Sequence, residues 1–226
     1  MSIIGCRKEF FGMKKTTMVK IALVVEIVVL LLIIMVKKSC NRQEVFYAED
    51  FGFTDLVSST DKDADGIDDF KDMMLAARTY VETNPPYKSE YYEGGYPTDG
   101  YGVCTDVIWH AFKDCGYDLK TMVDQDIAVN KQAYETIEEP DPNIDFRRVK
   151  NLKIFFDRKA VSLPIHFKNP QEWQPGDIVV FESHIAICSD KRNKKGIPFI
   201  IHAGVKSARE KNEIENYKIV GHYRWE

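Results

Sequence analysis

From Ile21 to Val36 the chain reads IALVVEIVVLLLIIMV, apolar on every helical face, with Glu26 as its one charge. Taken back to Met18, the run rises about 28 Å as a helix, close to the hydrocarbon thickness of a bilayer. Lys20, Lys37 and Lys38 can carry their charges to the headgroups along aliphatic stems. The pattern predicts a transmembrane helix over 18–36. Small residues would mark a cleavage site after it, but Lys37-Lys38-Ser39-Cys40 stands there, so the segment reads as an uncleaved signal anchor. More basic residues precede the run than follow it. That asymmetry predicts a cytoplasmic stub over 1–17 and a single-pass protein of the cell membrane with its body outside.

Residues 37–60 form a connector, with a short helix expected around Phe53–Val57. Past them the apolar positions take helical spacing. Phe70, Met73, Met74, Ala77 and Val81 share one face, and Asn84-Pro85-Pro86 stops the helix. Val107, Ile108, Ala111 and Cys115 predict a second helix that opens at Cys104 and closes at Gly116. Short helical pieces fill 117–145, and Asp145 is the expected N-cap of a helix bearing Val149, Leu152 and Phe156. After Gln174-Pro175-Gly176-Asp177 the character changes. Runs at 178–181, 184–188, 197–202 and 219–223 read as strands separated by turns. Helices followed by an antiparallel meander predict an α+β fold.

Charge divides the chain differently from hydropathy. Residues 1–44 hold eight Lys/Arg against three Glu, leaving 23 against 32 Asp/Glu in the rest. An acidic body argues against nucleic acid as a partner, since phosphate binding needs clustered cations. Apolar content of 44% and aromatic content of 12% exclude a disordered chain. The body carries only Cys104, Cys115 and Cys188, which is no disulfide framework. Cys104 and Cys115 share one helix at about 16 Å of rise, beyond disulfide reach. A free thiol is expected.

Cys104 opens its helix, where unpaired N–H groups and the positive dipole end favour a thiolate. Cys115 lies at the opposite end, and Cys188 ends a strand. His184 begins one predicted strand and His202 ends the next, so antiparallel pairing would set them side by side. Alternation places His184 with Ala186 and Cys188, on the face expected to meet the helix. Together Cys104, His184 and His202 suggest a thiolate activated by one imidazole that the other orients. His110, His166 and His222 are read as ordinary core or surface residues.

In this order the residues resemble a family. A helix-opening cysteine, then QPGDIVVF, HIAI and IIHAG, is similar to the NlpC-type, papain-like cell-wall cysteine peptidases. More closely, DGIDD, GYGVCTD, PDPNIDFRRVKNL, HIAICSDKRN and GHYRW resemble the bacterial family catalogued as domain of unknown function 1287. The resemblance implies a papain-like NlpC-type α+β domain over 61–226, in which a nucleophile helix packs on an antiparallel sheet. It implies an amidohydrolase acting on cell-wall peptide amides or peptidoglycan, without organic cofactor. Where NlpC-type enzymes carry Asp-Cys-Ser-Gly, this chain has Val-Cys-Thr-Asp.

The domain opens with an acidic loop. Asp61, Asp63, Asp65 and Asp69 fall at loop positions 1, 3, 5 and 9, with Gly66 at the turn, the Ile67 carbonyl at 7 and Asp72 at 12. Alternating oxygens of this kind suit a structural calcium ion, with Asp where an EF-hand has Glu. Tyr87, Tyr91, Tyr92, Tyr96 and Tyr101 crowd the loop before Cys104, where they suggest a substrate groove. Two rival readings accompany the enzyme: a non-catalytic, calcium-stabilised surface-binding module, and a zinc site built from Cys104, His184 and His202.

Overall fold

The computed structural model describes residues 15–40 and 43–226, with the side chains of 19–32 in the first stretch. It divides into two units, 1–43 and 44–226. In the first, helix α1 runs Lys15–Cys40, and its described side chains are exposed. Among the described residues no helix is long and apolar enough to cross a membrane. The transmembrane segment expected over 18–36 is therefore not borne out there. It extends past the described side chains at both ends, and the described part rises only about 21 Å. The stub expected over 1–17 lies almost wholly outside the described residues.

In the second unit the helical spacing of apolar residues forms α2 (Asp69–Glu82), α3 (Cys104–Asp114), α4 (Leu119–Asn130) and α5 (Val149–Lys159). Strands follow as β1 (Val161–Ser162), β2 (Ile178–Phe181), β3 (Ile185–Arg192), β4 (Pro198–Gly204), β5 (Ser207–Lys211) and β6 (Ile219–Arg224). The α+β class is as expected. One sheet contains all six strands in the order β1-β6-β2-β3-β4-β5, and every pair is antiparallel. The meander therefore stops at β5, and β6 returns to the far side of β2. Strand β5 reads SAREK and lacks apolar alternation, which is why the pattern did not reveal this edge.

Two local expectations fail. Residues 53–57 form no helix, and a 3-10 turn at Ala48–Phe51 takes that role. Asp145 does not cap α5. It opens a 3-10 turn over Asp145–Arg147, and Arg148 occupies the N-cap. The Asp145 carboxylate instead accepts from the Asp141 N–H at 2.8 Å and the Asn151 amide at 3.2 Å.

Both faces of the sheet are covered. Ile178, Val180, Ile185, Ile187 and Ile201 pack with Val107, Ile108, Phe112 and Phe156 of the helices. Val179, Phe181, Ala186, Cys188 and Ile200 face the other way, against Trp173, Ile197 and Ile214. Strand β3 thus turns Ala186 and Cys188 away from the helices, the reverse of the expected orientation. With a period of two, the residues between them, Ile185 and Ile187, meet α3 instead.

Buried charge ties the second layer to the sheet. Asp177, 1% exposed in its side chain, accepts from Arg224 twice at 2.8 Å and from His222 Nε2 at 2.8 Å. Trp173 stacks on His222 with ring centroids 3.8 Å apart. Gly176 turns the chain into β2 at φ +86°, where a Cβ would lie 2.1 Å from the Phe70 carbonyl oxygen, so only glycine fits. Replacing Asp177 by Ala strands a buried guanidinium. Urea denaturation is expected to show a loss of about 3–5 kcal/mol, and a loss below about 1 kcal/mol would show that the network is dispensable.

Candidate functional site

Helix α3 begins where a carboxylate holds its first turn. Asp106 is fully buried, and its Oδ2 accepts the Val103 N–H at 2.7 Å, while Oδ1 accepts the Trp109 indole N–H at 2.8 Å. Arg147 closes on the same carboxylate with Nε at 2.8 Å and Nη2 at 3.1 Å. Its carbonyl also accepts from Thr105 Oγ1 at 3.0 Å. The PDPNIDFRRV stretch therefore braces the helix start that carries Cys104. A charge-assisted bidentate pair of this kind fixes direction as well as distance.

Cys104 is 8% exposed and is a free thiol, as are Cys115 and Cys188. It lines a cleft of about 750 Å³ together with Tyr87, His184, Arg209, Glu213 and Tyr217. His184 sits immediately before β3, and His202 lies within β4. Their rings meet with His184 Nε2 2.8 Å from His202 Nδ1. Beyond, His202 Nε2 lies 3.4 Å from Glu213 Oε2. The structure therefore brings Cys104 and His184 into one cleft and sets His202 directly behind His184. Among the described residues, no hydrogen bond joins the thiol to either imidazole.

Burial decides the resting protonation. It pushes the Cys104 thiol up to about 11, against backbone hydrogen bonds from Ile185, Thr105 and Cys104 that favour the thiolate. Burial, then the neighbouring His202 and Arg209, lower His184 to about 4. The gap between about 11 and about 4 is on the order of 10 kcal/mol. Two opposite charges 4 Å apart recover roughly 4 kcal/mol at an effective dielectric of 20. The resting pair is therefore thiol and neutral imidazole, which corrects the expected thiolate: desolvation outweighs the helix dipole.

Of the five tyrosines only Tyr87 lines the cleft. Tyr92 bonds Asp99, Tyr96 packs edge-on against Trp109 and Phe146, and Tyr101 lies beneath Lys88. Tyr91 accepts from Asn143. The zinc reading is disfavoured because His202 turns Nδ1 to His184 Nε2 and Nε2 toward Glu213, which leaves it no free nitrogen for a metal.

At the acidic loop, Asp61, Asp63 and Asp65 bring carboxylate oxygens within 4.8 Å of one another. Asp72 is held above its ordinary value by burial, with Asp65 and Asp63 adding repulsion despite a hydrogen bond with Cys115. Asp69 is engaged elsewhere, with Oδ1 on the Lys62 N–H at 2.9 Å and Oδ2 on the Tyr117 hydroxyl at 2.5 Å. Oxygen donors at Asp61, Asp63 and Asp65, with Asp72 close by, suit a hard cation. Asp69 stays outside that carboxylate cluster, its oxygens taken by the Lys62 N–H of the loop and by Tyr117, and the Ile67 N–H is bonded to Asp65 Oδ1 at 2.8 Å.

Sequence reasoning missed Asp106, Arg147 and Glu213. A carboxylate two residues beyond Cys104 was the available signal for the first. Nothing local marks Glu213, which reaches the cleft only because β5 pairs with β4 and sets Arg209 opposite His202.

An antiparallel sheet backed by helices, with a helix-opening cysteine and a histidine in one cleft and a second histidine edge-on behind the first, defines an α+β domain whose cleft holds a thiol and an imidazole. The chain belongs to the family described as a domain of unknown function, DUF1287, whose model matches residues 74–225. A relative from Escherichia coli (strain K12), the uncharacterized protein YijF, is 37% identical over 150 residues, covering 63% of this chain and 73% of the relative. No solved structure matches the chain.

The thiol environments make a reactivity order measurable. Cys115 and Cys188 are fully buried, and both thiols are raised well above their ordinary value, by burial first and by acidic neighbours second. In residues 44–226, iodoacetamide followed by peptide mass mapping is expected to label Cys104 faster than Cys115 or Cys188. The Cys104 rate should climb with pH to a midpoint at about 11 and level only above it, because a raised pKa withholds the thiolate until then. A plateau already reached near pH 5 would overturn the neutral resting pair.

Proposed function

We propose that this protein is a cysteine amidohydrolase of the NlpC-type, papain-like kind, acting on peptide amide bonds of the cell wall. The observation that supports it is the shared cleft of Cys104 and His184, with His202 Nδ1 set 2.8 Å behind the His184 ring. Cys104 is the nucleophile, His184 the base and then the acid, and His202 the residue that orients it.

The chemistry follows from the neutral resting pair. The thiol proton passes to His184 as Sγ attacks the amide carbonyl carbon, so proton transfer accompanies attack. The backbone N–H of Cys104, at the start of α3, is the donor assigned to the carbonyl oxygen as it becomes negative. His184 then protonates the amine nitrogen, the C–N bond breaks, and a thioester remains on Cys104. Water, deprotonated by His184, attacks the thioester, releasing the carboxylic acid and restoring the thiol. A second, larger cavity of about 850 Å³ shares Glu182 and Ser183 with the cleft, which gives an extended peptide room beyond the reacting bond.

Residues 44–226 can be incubated with purified peptidoglycan and the released stem peptides read by mass spectrometry. Cys104→Ala is expected to abolish release with an unchanged melting temperature. His184→Ala should lose more than His202→Ala, because only His184 carries the proton. Undiminished product from Cys104→Ala would sink the nucleophile assignment. No product from any wall preparation would favour a surface-binding module, a reading that the missing thiol–imidazole hydrogen bond also supports.

The same proposal includes a location and an ion. The apolar run over 18–36 anchors the chain in the cell membrane with residues 44–226 outside. Calcium, where abundant, binds at Asp61, Asp63, Asp65, the Ile67 carbonyl and Asp72, and steadies the start of α2. It should raise the melting temperature by binding only the folded form, and Asp63→Ala/Asp65→Ala should abolish the rise. A melting curve unmoved by millimolar calcium would leave the loop an acidic turn.

A further inference from the structure

We propose that Glu213 is a positioning residue that acts through His202 to dictate which nitrogen of His184 takes up the thiol proton. The inference rests on the amidohydrolase reading for its catalytic consequence, and on geometry alone for its structural one.

Arg209 Nη2 lies 2.8 Å from Glu213 Oε2, and Lys211 Nζ lies 3.2 Å from Oε1. Two cations on one carboxylate keep it ionised, and an ionised carboxylate only accepts hydrogen bonds. The atom facing it is His202 Nε2, buried, 3.4 Å away and without a hydrogen bond of its own, so Glu213 is the charge that it faces. A lone pair there would point at negative charge, so His202 Nε2 must carry the hydrogen. Neutral His202 then has its lone pair on Nδ1, which lies 2.8 Å from His184 Nε2. That contact is a hydrogen bond only if His184 Nε2 donates. Neutral His184 is therefore left with its lone pair on Nδ1, and this is the basic nitrogen.

The opposite tautomers would set either two lone pairs or two N–H groups against each other. No proton needs to travel along the chain. When His184 takes the thiol proton at Nδ1, its Nε2–H becomes a stronger donor to His202, and the negative Glu213 opposes the unfavourable field of Arg209 and Lys211. Tyr217 also stands against the pair, with its ring 5.6 Å from His184 and 6.2 Å from His202, and Cys104, Glu182, Lys206 and Lys218 line the same cleft. Removing the Glu213 charge leaves the two cations uncompensated beside a developing imidazolium.

The test reads tautomers directly, by nitrogen NMR of histidine-labelled full chain at neutral pH. Both His184 and His202 are expected as the Nε2–H form. In Glu213→Gln, His202 should show mixed tautomers and the protonation midpoint of His184 should move down. Turnover of the substrate above should fall by roughly 10–100-fold, the range for partners that orient an active group, with kcat affected more than KM. Glu213→Asp, which keeps the charge, should restore part of the loss. A wild-type His184 protonated on Nδ1, or unchanged tautomers and titration in Glu213→Gln, would overturn the proposal. The wild-type spectrum needs neither substrate nor variant, so absence of turnover would count against the hydrolase reading alone.

Discussion

The buried pair of Asp106 and Arg147 is the contact on which the cleft depends. One carboxylate takes the Val103 N–H before the helix, the Trp109 indole within it and a guanidinium from 41 residues further along the chain. Both charges are almost fully withdrawn from water, with side-chain exposures of 2% and 0%. A pair so placed contributes little net stability over an apolar replacement, yet is costly to break once formed. Its effect is geometric: the first turn of α3 has one position, and Cys104 sits in that turn.

The same low-dielectric surroundings that sharpen this pair also determine the thiol. A helix start in water would ease ionisation of Cys104, but here the loss of hydration outweighs the amides. His184 and His202 respond in the same direction, both lowered to about 4 and both neutral at pH 7. The cleft at rest thus holds no charge on its reacting atoms. Its charges are one shell out, where Arg209 and Lys211 converge on Glu213. Polarity is supplied from behind the imidazoles.

Motifs that look alike in the chain serve different ends in the fold. QPGD and GHYRW meet through Asp177, Arg224 and His222, away from the cleft, and hold the second sheet face to its covering loop. HIAIC and IIHAG combine both tasks, since Ile185 and Ile201 pack toward α3 while His184, just before β3, pairs with His202 within β4.

Much of this was legible from residue types and spacing. Helical periodicity located α2 and α3, with Gly116 closing the latter at φ +78°, and period-two runs located β2, β3, β4 and β6. Order and chemistry along the chain also singled out Cys104, His184 and His202. Local pattern carries such information because each element buries its own apolar face. What only tertiary structure decided lies between elements. The return of β6 to β2, the turning of Ala186 and Cys188 away from α3, and the convergence of Asp106 with Arg147 all depend on long-range pairing. So does the protonation of Cys104, because a pKa answers to burial, and burial belongs to the packed molecule. Glu213 is the clearest case: it lies in a charged stretch with no periodicity, and the pairing of β4 with β5 alone brings it behind His202.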